Sequence, residues 1–170
     1  MFLAPTPTLS GTLLPMRSGV PGIWQTLRTM RRLVEQDKTD PAVIQGAISV
    51  SYLTPEKDQY SEAESIFNYV RDHVRYVRDV NGIETLTSPR MTMQRLVGDC
   101  DDQVMLLAAL LESVGYVTRF VIAGYSDPRA FEHVYMQVLL NGEWVSADPT
   151  ERVPLGWEPP GALIIDFERV

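Results

Sequence analysis

One cysteine, one of two histidines and one aspartate have the types and order of a thiol nucleophile system: Cys100, His133 and Asp148. Only the thiolate attacks a carbonyl carbon, and a free cysteine at neutral pH is mostly protonated. Cys100 opens a run, 104–111, that is apolar nearly all round. The pattern predicts a buried helix from Cys100 to about Val114. Asp99 would be its N-cap, Asp102 the N3 member of a capping box, and Gly115 its stop. Unpaired N–H groups in the first turn favour negative charge, and an imidazolium beside the sulfur would favour it further. Position alone, however, suits a buried structural cysteine better.

The histidine and the aspartate can be placed by strand geometry. Asn141-Gly142 is a strong two-residue hairpin signal between Glu132–Leu140 and Glu143–Asp148. Residues whose numbers sum to 283 then face each other. Tyr135 faces Asp148, and His133 lies one diagonal step away on the same face. Gln137 with Ser146, and Leu139 with Trp144, complete that face. Val134, Met136, Val138, Leu140, Val145 and Ala147 make the other face apolar, which forbids a one-residue slip. A carboxylate beside an imidazole fixes its tautomer. Taken alone, the pair also fits a surface ion pair of no consequence. No periodicity brings Cys100 to His133.

The elements that would position these residues begin with an extended arm, 1–22, carrying Pro5, Pro7, Pro15 and Pro21. Apolar spacing then predicts helices over Trp24 to about Gln36, Pro41 to about Leu53 and Tyr60 to His73. Asp40-Pro41 and Thr54-Pro55 act as start signals. A short strand over Val74–Val80, a turn at Asn81-Gly82 and a short helix from Pro89 to Leu96 lead into the cysteine helix. A strand over Tyr116–Ala123 and a loop over Gly124–Arg129 precede the hairpin. The tail, 151–170, resembles the arm in its prolines.

The 170 residues suit one domain, with a core able to form without staples. Forty-five per cent hydrophobic and 22% charged residues exclude a disordered tail. No apolar run is long enough for a membrane span, and Met1–Gly19 lacks the basic start of a signal peptide. A net charge of −7 argues against nucleic-acid binding. A single thiol excludes an internal disulfide and a thiolate-rich zinc site, and it suits a reducing compartment. Asp99, Asp101 and Asp102 match no calcium-loop spacing and read as caps, so no metal and no cofactor is expected. Arg28, Arg31 and Arg32 make a small basic face, and His73 reads as a partly exposed helix residue.

Gly98-Asp99-Cys100-Asp101-Asp102, the Leu/Ala-rich run and Gly115 resemble the cysteine motif of transglutaminase-like proteins. His133-Val134-Tyr135, Gly142-Glu143-Trp144-Val145 and Asp148-Pro149-Thr150 resemble the family's histidine and aspartate motifs. The resemblance covers about residues 60 to 151 and is greatest to bacterial and phage-encoded members. It implies an α+β, papain-like fold, with the cysteine helix packed on an antiparallel sheet in a domain over 23–150. Carried over by position, Cys100 is the nucleophile, His133 the general base and acid, and Asp148 the residue that orients His133. The implied chemistry is a thioester formed from an amide, then hydrolysed or passed to an amine, on a protein or a peptidoglycan peptide. Gln94 and Tyr135 are candidates for oxyanion donation or substrate lining. Exposed helix surface and core packing, respectively, are the alternatives. Some such members are virion parts, so 1–22 and 151–170 could contact assembly subunits of a virion, the chain being made in the cytoplasm. A structural virion module that keeps the fold with little or no catalysis is the competing reading, and a metal-binding protein a more distant one.

Overall fold

A helix that is apolar on every face must sit at the centre of a domain, and residues 101–111 are all buried. The computed structural model describes residues 20–55, 58–79, 85–125, 132–160 and 164–168. In chain order the elements are α1 (Val20–Asp37), α2 (Pro41–Ser51), α3 (Gln59–His73), β1 (Arg75–Tyr76), α4 (Pro89–Arg95), β2 (Val97–Gly98), α5 (Cys100–Ser113), β3 (Thr118–Gly124), β4 (His133–Leu140), β5 (Glu143–Ala147) and β6 (Ile164–Glu168). Helices α1 to α4 pack around α5, and β3 and β4 close its remaining side. Val104, Met105, Leu106, Leu107, Leu110 and Leu111 of α5 are fully or almost fully buried. Their transfer from water contributes on the order of 10 kcal/mol before the entropy of ordering is subtracted.

Local chemistry sets the helix ends. Asp40 caps α2 by accepting from the Ala42 N–H (2.8 Å), with Pro41 in the first turn. Asp58 caps α3 by accepting from the Ser61 N–H (3.1 Å), rather than a cap supplied at Thr54-Pro55. The arm expected over 1–22 already turns helical at Val20, and residues 1–19 lie outside the described residues.

The main sheet has the order β5-β4-β3-β6 and is antiparallel throughout. Asn141 (φ 51°) and Gly142 (φ 89°) both adopt positive φ, as a type I′ turn requires. The register follows: Leu140 faces Glu143, Val138 faces Val145 and Met136 faces Ala147. Val134, Met136, Val138 and Leu140 point into the α5 core, whereas Tyr135 clusters with Val121 and Ala123 on the opposite face. On that face Gln137 Oε1 accepts two bonds from Arg119 (2.8 and 2.5 Å), and Gln137 Nε2 donates to Ser146 and Glu158 (both 3.1 Å).

Three expectations change. The tail supplies β6, which pairs with β3 from Phe120↔Glu168 to Gly124↔Ile164 and so covers an edge that would otherwise stay open. The strand expected over Val74–Val80 shortens to Arg75–Tyr76, paired in parallel with β2, and Val80 lies outside the described residues. Arg31 does not belong to a solvated basic face. Its guanidinium grips Glu112 with two bonds of 2.5 and 2.7 Å. Lys38 (3.1 Å) and the Thr118 hydroxyl (2.6 Å) also donate to Glu112. A carboxylate in the last turn of a helix faces the negative end of its dipole, and these donors offset that cost.

Candidate active site

The first turn of α5 is fixed from three sides. Asp99 caps it by accepting from the Asp102 N–H (3.3 Å). Strand β2 lies so close that a Cβ on Gly98 would stand 2.5 Å from the Cβ of Asp102. Gln103 Nε2 donates to the Gly98 carbonyl (3.2 Å). Asp102 does not reach back to complete a capping box. Its Oδ1 instead accepts from the Thr87 N–H (2.7 Å), tying the segment before α4 to the cysteine helix. Burial raises this carboxyl to about 7.

Cys100 is partly buried at the head of α5. The Val134 backbone N–H faces its sulfur and favours the thiolate, which sets the thiol against β4 at the residue after His133. The hairpin explains why that donor is free. Even-numbered residues of β4 direct their N–H groups toward β5, whose pairing stops at Ala147 opposite Met136. The next outward-facing N–H on that edge is that of Val134. Burial raises the Cys100 thiol well above its ordinary value, and Asp101 and Asp99 push the same way. The thiol is thus protonated here, donating to Asp101 Oδ1 at 3.6 Å.

His133 and Asp148 meet as the hairpin arithmetic requires: His133 Nε2 lies 2.7 Å from Asp148 Oδ2. Asp148 is 1% exposed. Its other oxygen, Oδ1, accepts from the Thr150 N–H (3.1 Å) and hydroxyl (2.6 Å). Asp148-Pro149-Thr150 is therefore an Asx turn, a signal in the sequence that marks Thr150 as a support for the carboxylate. With Nε2–H donating to Asp148, Nδ1 is the nitrogen left to accept a proton.

The other expected residues are placed less centrally. Tyr135 is fully buried, its ring stacked on His133 at 6.3 Å and 19°, and its hydroxyl has no hydrogen-bond partner among the described residues. Gln94 is exposed on α4 and makes no hydrogen bond among the described residues. No thiol–imidazole hydrogen bond is present among them either. Sequence reasoning missed the Val134 N–H, which backbone pairing alone exposes, and Tyr76, whose backbone pairs with Gly98 two residues before Cys100. No group of three or more potential metal ligands occurs among the described residues. None of their helices is long and apolar enough to cross a membrane.

Comparison with known proteins bears on the whole arrangement. No curated protein matches the chain. Among solved structures it is similar to a candidate cysteine protease from Cytophaga hutchinsonii, with a TM-score of 0.56, 17% identity, 82% of this chain covered and 51% of the other. A candidate protease from Parabacteroides distasonis gives a TM-score of 0.60 at 11% identity, with 76% of this chain and 26% of the other covered. The chain thus spans about half or less of these proteins, and at such identities the likeness is one of fold. The fold is the α+β, papain-like arrangement expected. The sequence profile described as the transglutaminase-like superfamily matches residues 47–149, which include Cys100, His133 and Asp148. The chain belongs to the transglutaminase-like superfamily.

Proposed function

We propose that the chain is a thiol-dependent amide hydrolase or acyltransferase acting on a protein or a peptidoglycan peptide, with Cys100 as nucleophile, His133 as general base and acid, and Asp148 as the residue that orients His133. One observation carries this reading: the strand that presents His133 to Asp148 at 2.7 Å also turns its next backbone N–H, that of Val134, toward the sulfur. The resting thiol holds its proton, so attack and proton transfer must be coupled. His133 Nδ1 takes the proton as sulfur bonds to the carbonyl carbon. The proton then passes to the departing nitrogen as the C–N bond breaks, leaving a thioester. Water, activated by the same imidazole, yields the acid and restores the thiol; an amine would yield a new amide. Asp148, braced by Thr150, holds the imidazole in the tautomer this sequence needs.

The competing reading is a structural module that keeps the fold without catalysis. Its support is the sheltered thiol flanked by Asp99 and Asp101, an environment that opposes ionisation. Alkylation of Cys100 by iodoacetamide, followed against pH in wild type and in His133→Ala, separates the two. The catalytic reading expects wild type to react at least tenfold faster near pH 7, and Cys100→Ala to be inert. Equal slow rates in wild type and His133→Ala would leave the scaffold reading standing.

A further inference from the structure

The bond between His133 and Asp148 does not by itself hold the imidazole in one orientation. With Cβ fixed by β4 and Nε2 tied to Asp148 Oδ2 at 2.7 Å, the ring can still turn about the line joining those two atoms, and the turn swings Nδ1. The sheet neighbours of His133 differ in what they can do about this. Across the sheet it faces Ala123, whose methyl group is too small to set a ring plane. Two residues along β4, the Tyr135 ring lies nearly parallel to the imidazole, 19° from it at a centroid separation of 6.3 Å. That separation is within the range of offset aromatic pairs. Tyr135 is itself immobilised. It faces Val121, clusters with Val121 and Ala123, and has no exposed surface. Solvent exposure is one-sided as well. The His133 side chain is 18% exposed, whereas that of Asp148 is fully buried. The imidazole is thus open on one side and closed on the side of its carboxylate, where water would compete for Nε2–H.

We infer that Tyr135 is a positioning residue of this site: the face of its ring fixes the plane of the His133 imidazole and walls the His133–Asp148 bond from water, and its hydroxyl takes no part. The inference rests on the acyl-transfer reading above, in which Nδ1 must be aimed at the sulfur to take its proton. Tyr135 makes and breaks no bond; it acts only through His133. The hydroxyl is set aside on two grounds. It is buried with no partner among the described residues, a net cost to the fold. A side chain with no exposed surface also cannot touch a substrate, which removes Tyr135 from oxyanion donation and substrate lining.

The test uses the ¹⁵N-labelled chain and two readouts, solvent exchange of the His133 Nε2–H proton by NMR and iodoacetamide alkylation of Cys100 at pH 7. The resonance is assigned by its loss in His133→Ala. Wild type should show a protected Nε2–H and alkylate at least tenfold faster than His133→Ala. Tyr135→Leu fills the site without a flat face. It should exchange that proton at least fivefold faster and alkylate at least fivefold more slowly; Tyr135→Met takes its place should the leucine variant not fold. Tyr135→Phe should stay within twofold of wild type in both readouts and melt at least as high. A merely structural role would lower the melting temperature of Tyr135→Leu and move neither readout. A change below fivefold in either readout for the folded leucine or methionine variant, or a loss beyond twofold in Tyr135→Phe, would overturn the inference. A wild type that alkylates no faster than His133→Ala would overturn the acyl-transfer reading, and the inference would fall with it. That comparison involves no Tyr135 variant, so the two failures are told apart.

Discussion

Asp101→Asn should make Cys100 more reactive. The Asp101 carboxylate oxygen is 3.6 Å from the sulfur and accepts the thiol hydrogen, so it stabilises the thiol and destabilises the thiolate. Two unit charges at that distance interact by roughly 4–5 kcal/mol at an effective dielectric constant of 20. Local relaxation and the partner amide left by asparagine reduce the net change. Taking a third of the Coulomb figure leaves about 1.4 kcal/mol, equivalent to a tenfold larger thiolate fraction. Burial, the larger cause of the raised value, is untouched by this isosteric change, so the thiol should remain less acidic than a free cysteine. The assay is the second-order rate of iodoacetamide alkylation at pH 7.5, with thermal unfolding as a control because Asp101 is only 4% exposed. A tenfold rise is expected. A rate unchanged within twofold, in a variant that melts within a few degrees of wild type, would refute the electrostatic argument.

Three further outcomes follow from the same structure. Asp148→Asn keeps the shape but turns an amide N–H toward His133 Nε2, forcing the proton onto Nδ1; amide hydrolysis should fall by about 10³–10⁴, and a loss of only a few-fold would remove Asp148 from its orienting role. Asp102 carries a proton in the folded chain up to about pH 7, against 3.8 for an ordinary aspartate. Its contribution to stability is complete below pH 4 and disappears as pH rises through 7, amounting to a few kcal/mol at most, since each tenfold gain in proton affinity on folding is worth about 1.4 kcal/mol. Asp102→Asn, which can still accept from Thr87, should therefore flatten the decline of denaturant stability between pH 5 and pH 8; an unchanged slope would count against it. Glu112→Ala removes the buried partner of Arg31 and Lys38, which keep only the half-exposed Glu35, and should cost about 1–3 kcal/mol in urea unfolding, whereas a loss below about 0.5 kcal/mol would mean that Glu35 and water replace the carboxylate without penalty.

Much of this molecule was legible along the chain because its decisive signals are local. Asn141-Gly142 needs positive φ at two successive residues, and that one turn fixes the hairpin register and hence the meeting of His133 with Asp148. The all-round apolar run after Cys100 has one physical solution, a helix at the centre of the core. What failed was non-local. Asp102 has the spacing of a capping-box residue, yet the approach of β2 and the Thr87 N–H gives its carboxylate a better partner fifteen residues away. The last strand, Ile164–Glu168, is recognised only by the open edge of β3 that it fills.

The sequence by itself determined which groups could react, the helix that carries the sulfur, and the face that His133 shares with Asp148, because caps, turns and alternation act over a few residues. Only the tertiary structure decided how that helix head docks on β4. The Val134 N–H meets the sulfur because β5 ends short of it, and Asp101 and burial keep the proton on the thiol. Those are facts of packing and of solvent exclusion, and no periodicity in a single chain encodes the distance between a helix and the strand it lands on.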